Sequence, residues 1–130
     1  MKNYNEIKTF EDACKIQGID PKKVLPDFSN YPEGDREALL AHAKLVIIVR
    51  ASNKLANEGK EWTPDWNNWD ERKYEPWFAL DEKGSSAFRF HDYDRWNSNS
   101  DVGSRLCFIS NEVCEYVANQ FIDLYESYFK

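Results

Sequence analysis

Three features of this 130-residue chain predict an α+β fold. The stretch Ala38–Val49 is apolar on more than one face and is flanked by Ala, Leu and Lys, which marks a long helix. A segment rich in Trp, Asn and Pro follows it and contains short alternating runs that read as strands. Near the C-terminus Val113, Val117, Phe121, Leu124 and Tyr128 recur at spacings of four, four, three and four, an amphipathic helical stripe. The expected architecture is a helical N-terminal half with one long central helix, a small antiparallel sheet of two to three short strands, and a C-terminal helix docked on the long one. All 130 residues read as one domain.

Residues 1–8 are expected to be a flexible N-terminal arm. Thr9 is a good N-cap, Glu11 and Asp12 suit the first turn, and Gly18 sits where a left-handed residue ends a helix, so 9–17 is expected to be helical. Asp20-Pro21 looks like the cap and first position of a second, very short helix ending near Pro26. The central helix should run from Glu33 or Asp35 to Asn57, with Gly59 beyond it. Trp62–Asp70 is turn chemistry with rings attached. Tyr74–Leu80 reads as a strand that Pro76 restricts to a sheet edge. Ala87–Tyr93 alternates as a second strand, and Arg105–Ile109 as a third. Ser110 then caps the last helix.

The net charge of -6 is uneven. Residues 61–102 carry five bases and ten acids, whereas 1–60 are nearly balanced. Non-specific nucleic-acid binding and anionic membranes are disfavoured, because both need dense cationic patches. An acidic surface that keeps the chain in solution is the plain reading, and a basic partner, a sugar or a cation are the ligand classes left open. Cys14, Cys107 and Cys114 are odd in number, which is not a secreted disulfide framework. The N-terminus has no apolar signal region and the longest apolar run is Leu45–Val49. A cytoplasmic location follows, or a virion-associated one if a phage carries the gene.

Glu61–Trp96 holds all five tryptophans together with Tyr74, Phe78, Phe88, Phe90 and Tyr93. Such rings either fill a small core or form a recognition surface, and the sequence leaves both uses open. Trp62, Trp66 and Trp69 would share a face on a helical turn, but Pro64 argues against a regular helix there. The candidate binding residues are Trp62, Trp66, Trp69, Trp77, Tyr93, Trp96 and Arg105. Arg105 is expected to pair with an acid of the aromatic segment before it meets any ligand.

A divalent cation is the one cofactor class the sequence suggests. His91, Asp92 and Asp94, with Asn97, Asn99 and Asp101, offer many oxygens within eleven residues. The run departs from a calcium loop, since Gly103 is one place late and Phe108 stands where a carboxylate should be. The bland alternative is an Asx-rich turn. Cys107 and His91 would be neighbours if their strands paired, giving a nucleophile beside a base. His42, between Ala41 and Ala43, is expected to be a hydrogen-bonded or surface histidine. No G-x-S-x-G, phosphate loop or dinucleotide fingerprint is present.

Several motifs together carry a resemblance. Trp62-Thr-Pro-Asp-Trp66, Lys73-Tyr-Glu-Pro-Trp-Phe78, Asp101-Val-Gly-Ser-Arg-Leu-Cys-Phe108 and Phe121-Ile-Asp-Leu-Tyr125 resemble a family of small uncharacterised proteins. Its members are encoded by gut Bacteroidales and by their phages and mobile elements. The Thr9-Phe-Glu-Asp-Ala opening and Gly18-Ile-Asp-Pro21 are similar as well. The resemblance implies a host range and assigns no activity. The expected function is a non-catalytic binding or accessory protein that holds a protein or carbohydrate partner on an acidic aromatic face. The alternatives are a metal-assisted hydrolase built on His91, Asp92, Asp94 and Asp101, and a structural homo-oligomer.

Overall fold

A computed structural model describes residues 3–79, 89–95 and 105–130. Among these the chain is mostly helical: α1 (Phe10–Gln17), α2 (Glu33–Ala56), α3 (Asn111–Gln120) and α4 (Ile122–Phe129), with a two-stranded antiparallel ladder, β1 (Tyr74–Ala79) and β2 (Arg89–Arg95). No helix among the described residues is long and apolar enough to cross a membrane.

The helix ends follow local chemistry. The Thr9 hydroxyl accepts from the Asp12 amide, and the Asp12 carboxylate accepts from the amides of Thr9 and Lys8, a complete capping box. Gly18 closes α1 at φ 67°, a conformation that costs a side chain and suits glycine. Asp20–Pro26 forms turns rather than the short helix expected, and the Asp20 carboxylate caps only the Lys22 amide. The N-terminal arm is anchored from residue 4 onward. Ile7 is fully buried, and the Tyr116 hydroxyl donates to the carbonyls of Asn5 and Ile7.

The core forms between α2 and the elements on either side of it. Leu45, Ile48 and Ala51 of α2 are fully buried with Ile7, Ala13, Cys14, Phe108, Cys114 and Val117. The C-terminal stripe holds, but the single helix expected there is two. Phe121 leaves the helical region at φ -113°, ψ 32°, so α3 and α4 pack in different directions. α4 lies along α2 while α3 meets the hairpin. Phe121 itself remains buried at the bend, and Tyr125 is buried one turn later.

The third strand expected over Arg105–Ile109 is a single bridge between Tyr74 and Phe108. The Phe108 amide donates to the Tyr74 carbonyl at 2.8 Å, and the Tyr74 amide returns a bond of 3.3 Å. Two residues on, the next pair on this edge would need an amide from Pro76, which has none. At the other end Ser110 is already the cap of α3. Proline thus places β1 at an edge, as the sequence implies, and ends the ladder there.

The flanking groups of Phe108 turn the other way and meet Asn53 on α2. Its amide donates to the Cys107 carbonyl at 2.9 Å, and its carbonyl oxygen accepts from the Ile109 amide at 3.0 Å. Asn53 is 2% exposed, so the Cys107 carbonyl has no water as an alternative, and the Ile109 amide is partly shielded as well. A side chain here does the work of a neighbouring strand.

Within the hairpin, Trp77 is opposite Asp92 whereas Phe78 is opposite Phe90. His91 is therefore the extra residue of a β-bulge. β2 and Phe108 also lie on opposite edges of β1. The Cys107–His91 pairing considered from the sequence does not form, because β1 runs between the two segments.

Asn53→Ala is expected to lower unfolding stability by about 2–4 kcal/mol in urea titrations, since it orphans two buried backbone groups. Ser52→Ala, next to it, should cost less, because its hydroxyl only adds to the Ile48 carbonyl of the helix. All three thiols are buried and none forms a disulfide, so a thiol reagent should label the native protein only at the rate of unfolding. Burial, with Glu75 nearby, pushes the Cys107 thiol from 9.0 up to about 12, and burial also raises the Tyr125 phenol. Between pH 9 and 12 the folded chain retains a proton that the unfolded chain gives up. Stability is full below that window and falls as pH rises through it. Cys107→Ala should flatten this decline in pH-dependent urea midpoints.

Candidate aromatic cleft

Beyond Gly59 the chain folds back over the second face of α2. Val46, Val49, Arg50 and Asn53 lie on that face at helical spacing and form the floor of a cleft of about 400 Å³. Trp62, Thr63, Pro64 and Trp66 form its roof, and Arg105 closes one side.

The roof holds its shape through its own polar groups. The Asp65 carboxylate accepts from the Asn67 amide, the Asn68 side chain from the Asp70 amide, and the Glu71 carboxylate from the Asp65 amide. Lys73 gathers the loop. It is 3% exposed, and its ammonium donates to the carbonyls of Asn68 and Glu71 at 3.1 Å. It also lies 3.3 Å from the Glu71 carboxylate and 5.2 Å from the centre of the Trp66 ring. All of this charge is matched at short range, which is what makes a buried lysine tolerable.

The four tryptophans with described side chains all stay out of the buried core. Trp62 and Trp66 are half-buried in the cleft. Trp69 and Trp77 are 59% and 58% exposed. No helix aligns Trp62, Trp66 and Trp69, and Trp69 does not line the cleft with the other two. Tyr93, Asp92 and Asp94 lie on β2 across from Pro76, Trp77 and Glu75, and of them only the backbone is described. Trp96 and Asp101 lie outside the described residues. Whether His91, Asp92, Asp94 and Asp101 could hold a cation therefore also lies outside them. Among the described residues no group of three or more His, Cys, Asp or Glu could hold a metal ion.

The electrostatics of the cleft differ from those of its segment. The segment is acidic, yet among the described residues no acid lines the cleft. Its charged walls are Arg50 and Arg105. Arg50 pairs loosely with Glu61 at 3.6 Å, and Lys54 reaches the same carboxylate at 3.7 Å. The shared Glu61 carboxylate is solvent-exposed and both pairs are weak. The acid expected to neutralise Arg105 is not found among the described residues, and its guanidinium is exposed. Asn53 contributes no free polar atom, since both ends of its amide hold the Cys107–Ile109 segment.

Sequence reasoning missed the floor of this cleft. The signal was there in α2, which is apolar on more faces than one core can use, so its second face required a cover. His42 also departs from expectation. It is half-buried, its ring lies tilted against Tyr128 with centres 4.8 Å apart, and its Nδ1 has no hydrogen-bond partner among the described residues. It lines a shallower groove with Tyr31, Leu39 and Tyr128.

No protein-family model matches this chain, no curated protein matches its sequence, and no solved structure matches its fold.

Lys73→Met should loosen the roof while leaving the helical core folded. The expected result is a red shift in tryptophan emission and a stability loss of about 1–3 kcal/mol, with helical circular dichroism unchanged. A loss of helix content would show that the loop and core fold as one unit.

Proposed function

We propose that this chain is a non-catalytic binding or accessory protein whose Trp62–Trp77 segment is a recognition surface. One observation carries the reading: none of the four described tryptophans is spent on the buried core. Rings of this size are costly to leave wet, and they are the side chains that dominate binding interfaces. The loop's own carboxylates and amides hold its shape, with Trp69 and Trp77 presented at its surface. Preorganisation of this kind lowers the entropic cost of binding.

A protein partner suits the outer rings, Trp69 and Trp77. A carbohydrate is the other class that stacks on open indoles. The resemblance of the Trp-rich and Gly-Ser-Arg-Leu-Cys-Phe motifs supports a phage or mobile-element origin among gut Bacteroidales. Three buried cysteines that form no disulfide support a reducing compartment such as the cytoplasm. The exposed rings also support a homo-oligomer, with a second copy of this chain as the partner. Sedimentation over a range of protein concentrations separates that reading from a monomeric binder.

Trp66→Ala, Trp69→Ala and Trp77→Ala should each weaken partner binding on glycan and peptide arrays by about 2 kcal/mol, the scale of an aromatic hot spot. Melting temperatures of the Trp69 and Trp77 variants should stay near that of the parent, whereas Trp66→Ala also removes the ring that Lys73 faces and should lower it. If each substitution unfolds the protein, the rings are structural and the reading fails.

A further inference from the structure

We infer that the cleft beneath Trp62 and Trp66 takes a small planar ring joined to a single anionic group, a carboxylate or a phosphate. The inference rests on the binding reading above and goes further by naming the ligand chemistry from the walls of the cleft.

The apolar walls call for a ring. Two indoles face a floor of Val46 and Val49, with Pro64 beside them. A space of about 400 Å³ holds a drug-sized ring system rather than a folded surface. The polar walls call for an anion. Arg50 and Arg105 are the charged lining residues, and guanidinium forks suit carboxylate and phosphate oxygens. Among the described residues Arg105 has no acidic partner, and Arg50 has the solvent-exposed Glu61 at 3.6 Å.

Other ligand classes fit worse. A cation would be repelled by both arginines and by Lys73, whose ammonium already faces the Trp66 ring at 5.2 Å. A neutral sugar needs acceptors as well as donors for its hydroxyls. Among the described lining residues the arginines only donate, none is a carboxylate, the Asn53 amide already holds two backbone groups, and Thr63 supplies the one hydroxyl, fewer acceptors than a sugar's several hydroxyls call for. A long nucleic acid strand would meet a chain of net charge -6. A single anionic ring meets only the local field of the cleft.

Glu61 is then an internal competitor. It pairs with Arg50 at the rim while lying outside the lining. Removing its charge should strengthen binding, and removing Arg105 should weaken it. Substitutions that merely disturb a surface loop would not change affinity in opposite directions.

The test is a titration of the full-length ¹⁵N-labelled chain, read at the indole N–H signals of Trp62 and Trp66. The probes are AMP with adenosine as its neutral counterpart, and N-acetylphenylalanine with its amide. The expected result is that at least one anion shifts both indoles, with its neutral counterpart weaker by about tenfold or more. AMP alone would identify phosphate as the preferred group, and N-acetylphenylalanine alone would identify carboxylate. Arg105→Gln should abolish the preference for the anion and Glu61→Gln should raise affinity, both at an unchanged melting temperature. Equal shifts from neutral and charged probes would overturn the anion requirement while leaving the binding reading intact. Silence from all four probes would overturn the inference. The binding reading is judged separately, by the Trp69 and Trp77 variants outside the cleft.

Discussion

The fold depends on one buried amide. Asn53 sits deep on α2, fifty-four residues before the backbone it holds. It satisfies the outward groups of Cys107 and Ile109 while Phe108 between them bridges to Tyr74. The hairpin, the start of α3 and the wall that carries Arg105 are all referred to α2 through this contact. An apolar residue of similar size could fill the space. It could not supply both a donor and an acceptor, and two backbone groups would be buried without partners.

A second constraint shapes the surface. α2 is too apolar for one core, so its outer face needs a lid. A lid built from an acidic, amide-rich loop has little hydrophobic drive of its own. Lys73 supplies the missing cohesion by drawing two carbonyls, a carboxylate and an indole around one ammonium. The arrangement consumes the loop's polar groups locally. The rings are left at the boundary between core and water, where they act as part of a cleft rather than as filling.

Much of this was legible in the sequence. Thr9 with Asp12, Gly18, Ser110 and the ends of α2 are where cap chemistry and periodicity place them, because those signals act within one turn of backbone. Pro76 announced an edge strand for the same reason: a missing amide is a local fact. The acidic character of the Trp segment was also plain, but it misdescribed the cleft, because composition averages over residues that face different ways.

What the sequence by itself determined is the first helix with its Thr9 and Gly18 ends, the long central helix, the Ser110 cap, the core stripe through Val113, Val117 and Phe121, and the presence of a ring-rich loop. Only the tertiary structure decided how the C-terminal stripe bends at Phe121, why the third strand shrinks to one bridge, and which rings stay wet. It also decided that Arg50 and Arg105, fifty-five residues apart, wall a single cleft that no acid among the described residues lines. The division has a physical cause. Caps and stripes are governed by neighbours three or four residues away. The Asn53 contact, the Lys73 hub and the pairing of the two arginines join distant segments, and no local propensity encodes them.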